Sequence, residues 1–291
     1  MTVIAPKPTV QGQGLLYRLT RNKVGVAGFV IVALIILMTI IAPLFLSSTV
    51  PSDAYNTWQG PSAEHPLGTD NAGKDVLHQI LIGGGTVIFV GLGAAALTTV
   101  IAVVLGALAA YLRGPVDTVL LQLTDIVMTV PQIVLLAVMG AFFQLTNPVL
   151  LAILIGSLSW PILMRSIRAQ VLSLKEREFV EAARLLDLGT SRVVFGEIVP
   201  NMAGFILINF IIAVTNAIYA LVGLYVLGLA PISGSNWGIM IRKAWVFDAF
   251  ALPEGTMFMM APIIMIALLQ LGLIMLTRSL EEVLNPRLSD G

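Results

Sequence analysis

The chain has 291 residues, of which 57% are hydrophobic and only 11% are charged, and its mean hydropathy is +0.95. Soluble domains carry about 25% charged residues, so this composition argues against a soluble protein and for lipid as the main solvent. The 16 basic and 16 acidic residues cancel, which leaves no bulk charge to attract nucleic acid. The chain contains no cysteine, which excludes disulfides, thiolate metal sites and cysteine nucleophiles.

Six uncharged or nearly uncharged runs predict transmembrane helices. About 20 mostly apolar residues are needed to cross the hydrocarbon layer, because every backbone polar group must be paired inside the helix. Such runs occupy residues 24–46, 80–112, 118–145, 148–164, 204–229 and 255–277. We therefore expect an all-α integral membrane protein with about six transmembrane helices.

The first two runs carry additional signals. The first has 23 residues, more than the roughly 7–15 residues of the apolar part of a signal peptide, so we expect it to remain in the protein as an anchor. The second run is 33 residues long and contains three consecutive glycines, Gly83, Gly84 and Gly85, near its start. Because glycine disfavours a helix interior, we expect this helix to start near Thr86.

The lysines and arginines that flank the spans predict the orientation. With the N-terminus inside, 13 of them lie in cytoplasmic segments and 3 in outer segments, and cytoplasmic segments are normally the ones rich in basic residues. An even number of spans then places both termini in the cytoplasm. The expected segments are a cytoplasmic start at 1–23, a first helix at 24–46, an outer loop at 47–79, a five-helix core at 80–277 and a cytoplasmic tail at 278–291.

The segment between the fourth and fifth spans is highly charged. Residues 165–197 hold 11 of the 32 charged residues of the chain, so this segment cannot lie in lipid. Strong helix formers without proline or glycine predict a helix over 172–188, which Gly189 is expected to end. Thr190 or Ser191 can cap a second short helix. We expect a helix-turn-helix on the cytoplasmic face, between the fourth and fifth spans.

The sequence KEREFVEAARLLDLGTSRVVFGEIVPN, residues 175–201, resembles the cytoplasmic loop of the permeases of binding-protein-dependent ATP-binding-cassette (ABC) importers. In that family the loop carries a Glu-Ala-Ala motif, then a glycine, and ends in Ile-x-Pro. The resemblance implies a coupling loop over 165–200 that seats in a groove of a separate ATPase subunit. The docking residues that it implies are Glu181, Ala182, Ala183, Arg184, Asp187, Gly189, Ile198 and Pro200.

One position departs from the family pattern. Counted from Glu181, the family glycine falls at Asp187, whereas the nearest glycine here is Gly189. The spacing from Glu181 to Pro200 matches that of the family. We therefore expect the same helix-turn-helix, with its turn displaced by one or two residues.

Two further stretches narrow the resemblance. HPLGTDNAGKDVL, residues 65–77, and YLRGPVDTVLLQLTDIVMTVP, residues 111–131, are similar to the C-type permeases of the dipeptide, oligopeptide and nickel importers. The resemblance implies a second homologous permease, two ATPase subunits that bind ATP and magnesium, and an extracytoplasmic solute-binding protein. It also implies the cytoplasmic membrane of a prokaryote. The substrate stays open among dipeptides, oligopeptides, nickel and oligosaccharides.

Two motifs on the outer loop suggest other chemistry. GTDNAGKD, residues 68–75, comes within one residue of a phosphate-binding loop, but Asp75 stands where that loop has Ser or Thr and would repel phosphate. His65 and His78 lie near acidic residues, yet two histidines 13 positions apart are more often structural than metal ligands. We expect a turn-rich loop, with no metal and no cofactor in this chain.

Three polar residues within the spans are candidates for a role in transport. Asp125 could line the translocation path, or it could pair with Arg113 or Arg165 near the cytoplasmic interface, which is the interpretation that we favour. Asn209 and Asn216 are seven residues apart, hence on one helix face, and they could face the path or bridge helices.

Three classes of function are compatible with a multi-span protein. The resemblance favours a non-enzymatic permease subunit of an ABC importer, which forms half of a translocation path for small peptides or a related solute. The alternative is a secondary transporter driven by an ion gradient, which normally uses broken helices and several buried acids, whereas only Asp125 is available here. An intramembrane enzyme would need a histidine cluster or paired acids, and the sequence has neither.

Overall fold

The protein is described by a computed structural model that covers residues 22–142, 147–230 and 234–284. Within these ranges the regular structure is helical, and Thr69 and Asp75 form one isolated antiparallel bridge. The helices are α1 (Lys23–Phe45), α2 (Val76–Leu112), α3 (Gly114–Thr129), α4 (Gln132–Phe142), α5 (Pro148–Leu174), α6 (Glu178–Leu185), α7 (Ala203–Val226), α8 (Trp237–Val246) and α9 (Thr256–Leu284).

Shorter helical segments complete the chain. A π-helical segment, Arg192–Ile198, leads into the one-turn helix Val199–Asn201, and a 3-10 turn, Ala249–Ala251, follows α8. Some predicted segments lie partly outside the described residues: the cytoplasmic start as far as residue 21, the end of the third span at 143–145, and the tail from residue 285.

Among the residues that the structure describes, five helices are long and apolar enough to cross a membrane, namely α1, α2, α5, α7 and α9. The pair α3 and α4 makes a sixth span if its two halves are counted together. The all-α membrane fold with about six spans is therefore confirmed.

The third predicted span is broken rather than straight. Its two halves, α3 and α4, meet at an angle of 75°. The break lies at Val130 and Pro131, where Val130 has an extended backbone (φ −100°, ψ 128°). A proline disfavours the helical conformation in the residue before it and cannot donate a backbone hydrogen bond, so the chain changes direction here.

The second span begins ten residues before the expected start at Thr86. Its helix α2 runs through the glycine triplet from Val76, and it is 37 residues long. The glycines are a packing surface: a Cβ atom on Gly84 would lie 2.5 Å from a ring carbon of Trp237 in α8. The indole Nε1 of Trp237 donates a 3.0 Å hydrogen bond to the Ile80 carbonyl. Close approach of α8 therefore explains the triplet, and the outer loop is shorter than the predicted 47–79.

Helix α2 forms the centre of the molecule. Its small residues let α5 approach closely, because a Cβ on Gly106 would lie 2.7 Å from the Met164 carbonyl and one on Gly156 would lie 2.8 Å from the Ala94 carbonyl. Thr98 of α2 donates to the carbonyl of Gly156 across this contact (3.1 Å). Packing of small residues in place of large apolar ones is typical of membrane helices.

Candidate functional site

The cytoplasmic segment is divided differently from the prediction. Helix α5 continues ten residues beyond the expected end of its span at residue 164 and reaches Leu174. The chain then turns over residues 175–177, and α6 occupies only Glu178–Leu185. The single helix expected over 172–188 is therefore interrupted at its start. No proline or glycine marks the interruption, and it coincides with a tertiary contact, a 2.9 Å hydrogen bond from Lys175 Nζ to the Ala110 carbonyl in α2.

The turn after α6 is centred on Asp187 and not on Gly189. Asp187 has the left-handed backbone conformation, with φ 52°. Its N–H donates to the Arg184 carbonyl (2.9 Å), and the N–H of Leu188 donates to the Ala183 carbonyl (3.3 Å). These two bonds form a Schellman motif, which normally has glycine in the left-handed position. Asp187 thus takes the place and the conformation of the family glycine, and the expected displacement of the turn is wrong.

Gly189 begins the next helical segment. Its carbonyl accepts hydrogen bonds from the N–H groups of Arg192 (2.9 Å) and Val193 (3.1 Å). Ser191, one of the two expected capping residues, makes no side-chain capping bond. Ile198 at the end of the segment is buried, and Pro200 in the following turn is exposed.

Helix α6 has one inner and one outer face. Val180 and Ala183 are buried against the apolar residues of the π-helical segment. Glu181, Ala182 and Arg184 are exposed, so only one of the two motif alanines faces outward. Two leucines at the end of the helix are exposed as well, Leu185 at 84% and Leu186 at 74%. An apolar patch at the tip of an otherwise charged segment is typical of a contact surface for another protein.

Ion pairs link α3 to α5 just inside this segment. Arg168 binds Asp117 through two hydrogen bonds, Nε to Oδ1 at 2.5 Å and Nη2 to Oδ2 at 2.6 Å. Arg165 pairs with Asp125 and donates from Nε to the hydroxyl of Thr124 (3.0 Å). Asp125 therefore has one of its two expected partners, and the pair connects α3 to α5.

A cleft of about 520 Å³ lies between α4, α5 and α7. None of its lining residues is charged. Asn209 and Asn216 both line it, and Asn209 also donates from Nδ2 to the Phe205 carbonyl (2.9 Å). The lining residues are Thr98, Gln132, Ile133, Leu136, Ser159, Ile162, Leu163, Ser166, Asn209, Ile212, Ala213, Asn216, Tyr219 and Ala220.

Several polar residues of the cleft were not singled out from the sequence. Gln132 is the first residue of α4, directly after the bend, and its Nε2 donates to the hydroxyl of Ser159 (2.6 Å). Tyr219 follows Asn216 by one turn on α7 and lines the same wall. The three-residue spacing between Asn216 and Tyr219 was the signal that could have found Tyr219. Nothing local distinguishes Gln132, because its position depends on the bend.

The outer loop is held by its own polar groups. The buried carboxylate of Asp70 accepts from the N–H groups of Ala72 (2.8 Å) and Lys74 (2.9 Å) and from Nε2 of Gln79 (3.0 Å). His65 Nδ1 lies 2.8 Å from Asp75 Oδ2, and His78 Nε2 lies 3.0 Å from the Ser47 carbonyl oxygen. Among the described residues, no group of three His, Cys, Asp or Glu side chains is arranged to hold a metal ion.

Comparison with known proteins identifies the family. Residues 102–290 match the family described as binding-protein-dependent transport system inner membrane component. Residues 11–61 match the N-terminal TM domain of oligopeptide transport permease C. The chain belongs to this permease family. It is a multi-pass protein of the cytoplasmic membrane and a C-type permease subunit of an ABC importer, as the sequence motifs predict.

Relatives of this permease have similar lengths. The oligopeptide transport system permease protein OppC of Bacillus subtilis is 34% identical over 226 residues, which cover 77% of this chain and 73% of that protein. The dipeptide transport system permease protein DppC of Alkalihalophilus pseudofirmus is 32% identical over 274 residues, or 93% of this chain and 88% of that protein. The oligopeptide transport system permease protein OppC of Haemophilus influenzae is 32% identical over 228 residues, which cover 77% of this chain and 73% of that protein.

Proposed function

We propose that this permease moves small peptides inward, driven by ATP hydrolysis on separate ATPase chains that attach to the exposed face of α6. Its partners are a second homologous permease, two ATPase subunits and an extracytoplasmic solute-binding protein. The ATP and magnesium belong to the ATPase subunits. The chain itself provides half of the translocation path and no catalytic group.

The observation that carries this proposal is the exposed surface of α6. The helix leaves Glu181, Ala182 and two leucines exposed, while Val180 and Ala183 on its other face are buried against the protein. Fully burying a leucine side chain contributes about 1.5–3 kcal/mol, so a partner that covers Leu185 and Leu186 gains substantial binding energy. The small side chain of the exposed Ala182, next to Glu181, permits a close approach of the partner's backbone.

The cleft supports a peptide as substrate. Relatives are named as permeases of oligopeptide and dipeptide transport systems. The lining combines side-chain amides and hydroxyls with apolar residues and has no charge. Such groups can hydrogen-bond to the N–H and C=O groups that every peptide shares, so they fit a path that admits peptides of varied sequence. The cleft would form a complete path only with a second permease opposite it.

The alternative of a secondary transporter has less support. Such a transporter needs an ionisable group in the path that binds the driving ion. The cleft lining has no acidic residue, and Asp125 is occupied by Arg165. Uptake into vesicles distinguishes the two mechanisms. We expect no uptake when the ATPase subunits are omitted and an ion gradient is imposed; gradient-driven uptake would refute the importer mechanism.

A mutational test addresses the docking surface. Glu181→Lys and Ala182→Trp should each disrupt a close contact with the ATPase subunits. Each should therefore reduce either the affinity of the ATPase subunits or the coupling of ATP hydrolysis to transport by about tenfold or more. Glu281→Lys makes the same charge change at an exposed position of α9 on the same predicted side and should have no effect. Normal attachment and coupling in both α6 variants would show that the ATPase binds elsewhere.

The substrate class has a separate test. The ligand that co-purifies with the solute-binding protein of the same transporter can be identified by mass spectrometry. We expect a mixture of short peptides. A bound metal or an oligosaccharide would replace peptide as the substrate and leave the docking proposal unchanged.

A further inference from the structure

The cytoplasmic end of α2 is joined to the turn before α6 by a buried lysine. Lys175 is the first residue after α5, and only 8% of its surface is exposed. Its Nζ donates a 2.9 Å hydrogen bond to the carbonyl of Ala110 in the last turn of α2. The last carbonyls of a helix lack partners within the helix and carry a partial negative charge, so an ammonium group is well placed there.

A tyrosine extends this contact to α6. Two cations lie close to the ring of Tyr111: Lys175 Nζ is 5.9 Å from its centroid, and the guanidinium carbon of Arg184 is 5.3 Å from it. Both distances are within the range of cation–π attraction. Arg184 belongs to α6, Tyr111 to α2, and Lys175 to the turn between α5 and α6. We call these three residues the Tyr111 clamp.

The clamp places two positive groups, Lys175 and Arg184, near a third, Arg113, and this has a cost. Burial, and the nearby charges of Arg113 and Arg184, lower the pKa of Lys175 below its usual value. An apolar side chain would fill the same space without this desolvation. Glu176 lies 3.5 Å from Arg113, but both side chains are more than half exposed and their attraction is weak. The position of Lys175 is therefore explained by the directed contacts that it makes and not by packing alone.

We propose that Lys175, Tyr111 and Arg184 keep α6 fixed to the end of α2 throughout the transport cycle, so that Lys175 is a positioning residue for coupling. This inference rests on the proposed docking of an ATPase on α6. Displacement of α6 by the ATPase then moves α2 directly. Thr98 of α2 lines the cleft, so the same displacement reaches the path.

The first test measures ATP hydrolysed per substrate molecule transported by the complete transporter in vesicles. Lys175→Met retains the aliphatic stem without the charge, and Tyr111→Leu removes the ring. Each should raise the ratio about fivefold or more, because ATP hydrolysis continues while the displacement of α6 no longer reaches α2. Tyr111→Phe preserves the ring face and should keep the wild-type ratio. A wild-type ratio in both Lys175→Met and Tyr111→Leu would overturn the proposal.

The second test does not depend on the clamp variants. The chain has no cysteine, so Leu112→Cys and Glu178→Cys place two unique spin labels at exposed positions on α2 and α6. With the clamp intact, the distance between the labels should be the same in nucleotide-free and ATP-bound transporter. A distance that changes between these states would overturn the proposal. Failure of ATPase docking itself would appear separately, as normal coupling in Glu181→Lys.

Discussion

The two ends of the helical bundle are stabilised in opposite ways. At the predicted outer end, the loop buries its own carboxylate, Asp70, and α8 buries its tryptophan, Trp237, against α2. At the predicted cytoplasmic end, α6 leaves Leu185 and Leu186 largely exposed. The outer loop therefore satisfies its own carboxylate and α8 buries Trp237, although Trp245, Phe247 and Phe250 at that end stay exposed. Under the proposed function, an ATPase subunit covers the exposed leucines of the inner end. Mutations at the outer end should affect folding, and those on the outer face of α6 should affect assembly.

The largest expected effect is at the outer end. A Cβ atom on Gly73 would lie 1.7 Å from the Asp53 carbonyl oxygen, and the residue has φ +68°. Gly73→Ala should therefore lower the free energy of unfolding by about 3 kcal/mol, through the clash and the left-handed backbone. Thermal unfolding of the purified protein in detergent measures this effect. Gly189→Ala on the cytoplasmic side, where a Cβ meets nothing within 4 Å, should change stability little.

The next largest effect is expected at the exposed leucines. Leu185→Asp should weaken ATPase attachment by about 2 kcal/mol, roughly thirtyfold in affinity, because a charge replaces apolar area that the partner covers. Its melting temperature should not change, since the side chain is exposed in the free chain. Leu185→Met keeps the apolar area and should bind normally. Loss of stability in Leu185→Asp, with attachment intact, would contradict the contrast between the two ends.

The smallest effect concerns the turn after α6. Asp187→Gly should raise the free energy of unfolding by up to about 1 kcal/mol, because glycine adopts φ 52° without a steric cost. The change places glycine at the left-handed position and leaves Glu181, Ala182 and the two leucines in place, and thermal unfolding in detergent measures its effect. Asp187→Asn tolerates the same conformation and is the matched control. A loss of stability in Asp187→Gly would mean that the carboxylate makes a contact whose free energy exceeds the cost of the left-handed backbone at Asp187.

Long-range packing decided where the sequence predictions failed. Hydropathy located the five long spans, because the requirement for internal hydrogen bonding acts on each helix separately. The glycine triplet was interpreted as a helix start, since its packing partner Trp237 is more than 150 positions away in the chain. The bend at Pro131 has a local cause, but an apolar run on either side of it concealed the change in direction.

The candidate site was predictable to different extents in its two parts. The α6 motif was recognisable from sequence because its residues are close together in the chain. Its turn was misplaced, because glycine was weighed above an aspartate that can also adopt the left-handed conformation. Asn209 and Asn216 were found from their helical spacing. Gln132 and Ser159 were missed, since their hydrogen bond joins two helices and leaves no periodic trace in either.

The length of α2 connects the two ends by one continuous helix. At about 1.5 Å per residue, its 37 residues span roughly 55 Å, well beyond the 30 Å of a bilayer's hydrocarbon layer. One helix therefore runs from the outer loop, where Asp75 caps it, to the carbonyl that Lys175 holds. Under the proposed function, linkage is reciprocal: if nucleotide on one side changes the affinity for a ligand on the other, that ligand changes the affinity for nucleotide by the same factor. If α2 carries this coupling, a substrate delivered outside alters nucleotide affinity in the cytoplasm before it crosses the membrane.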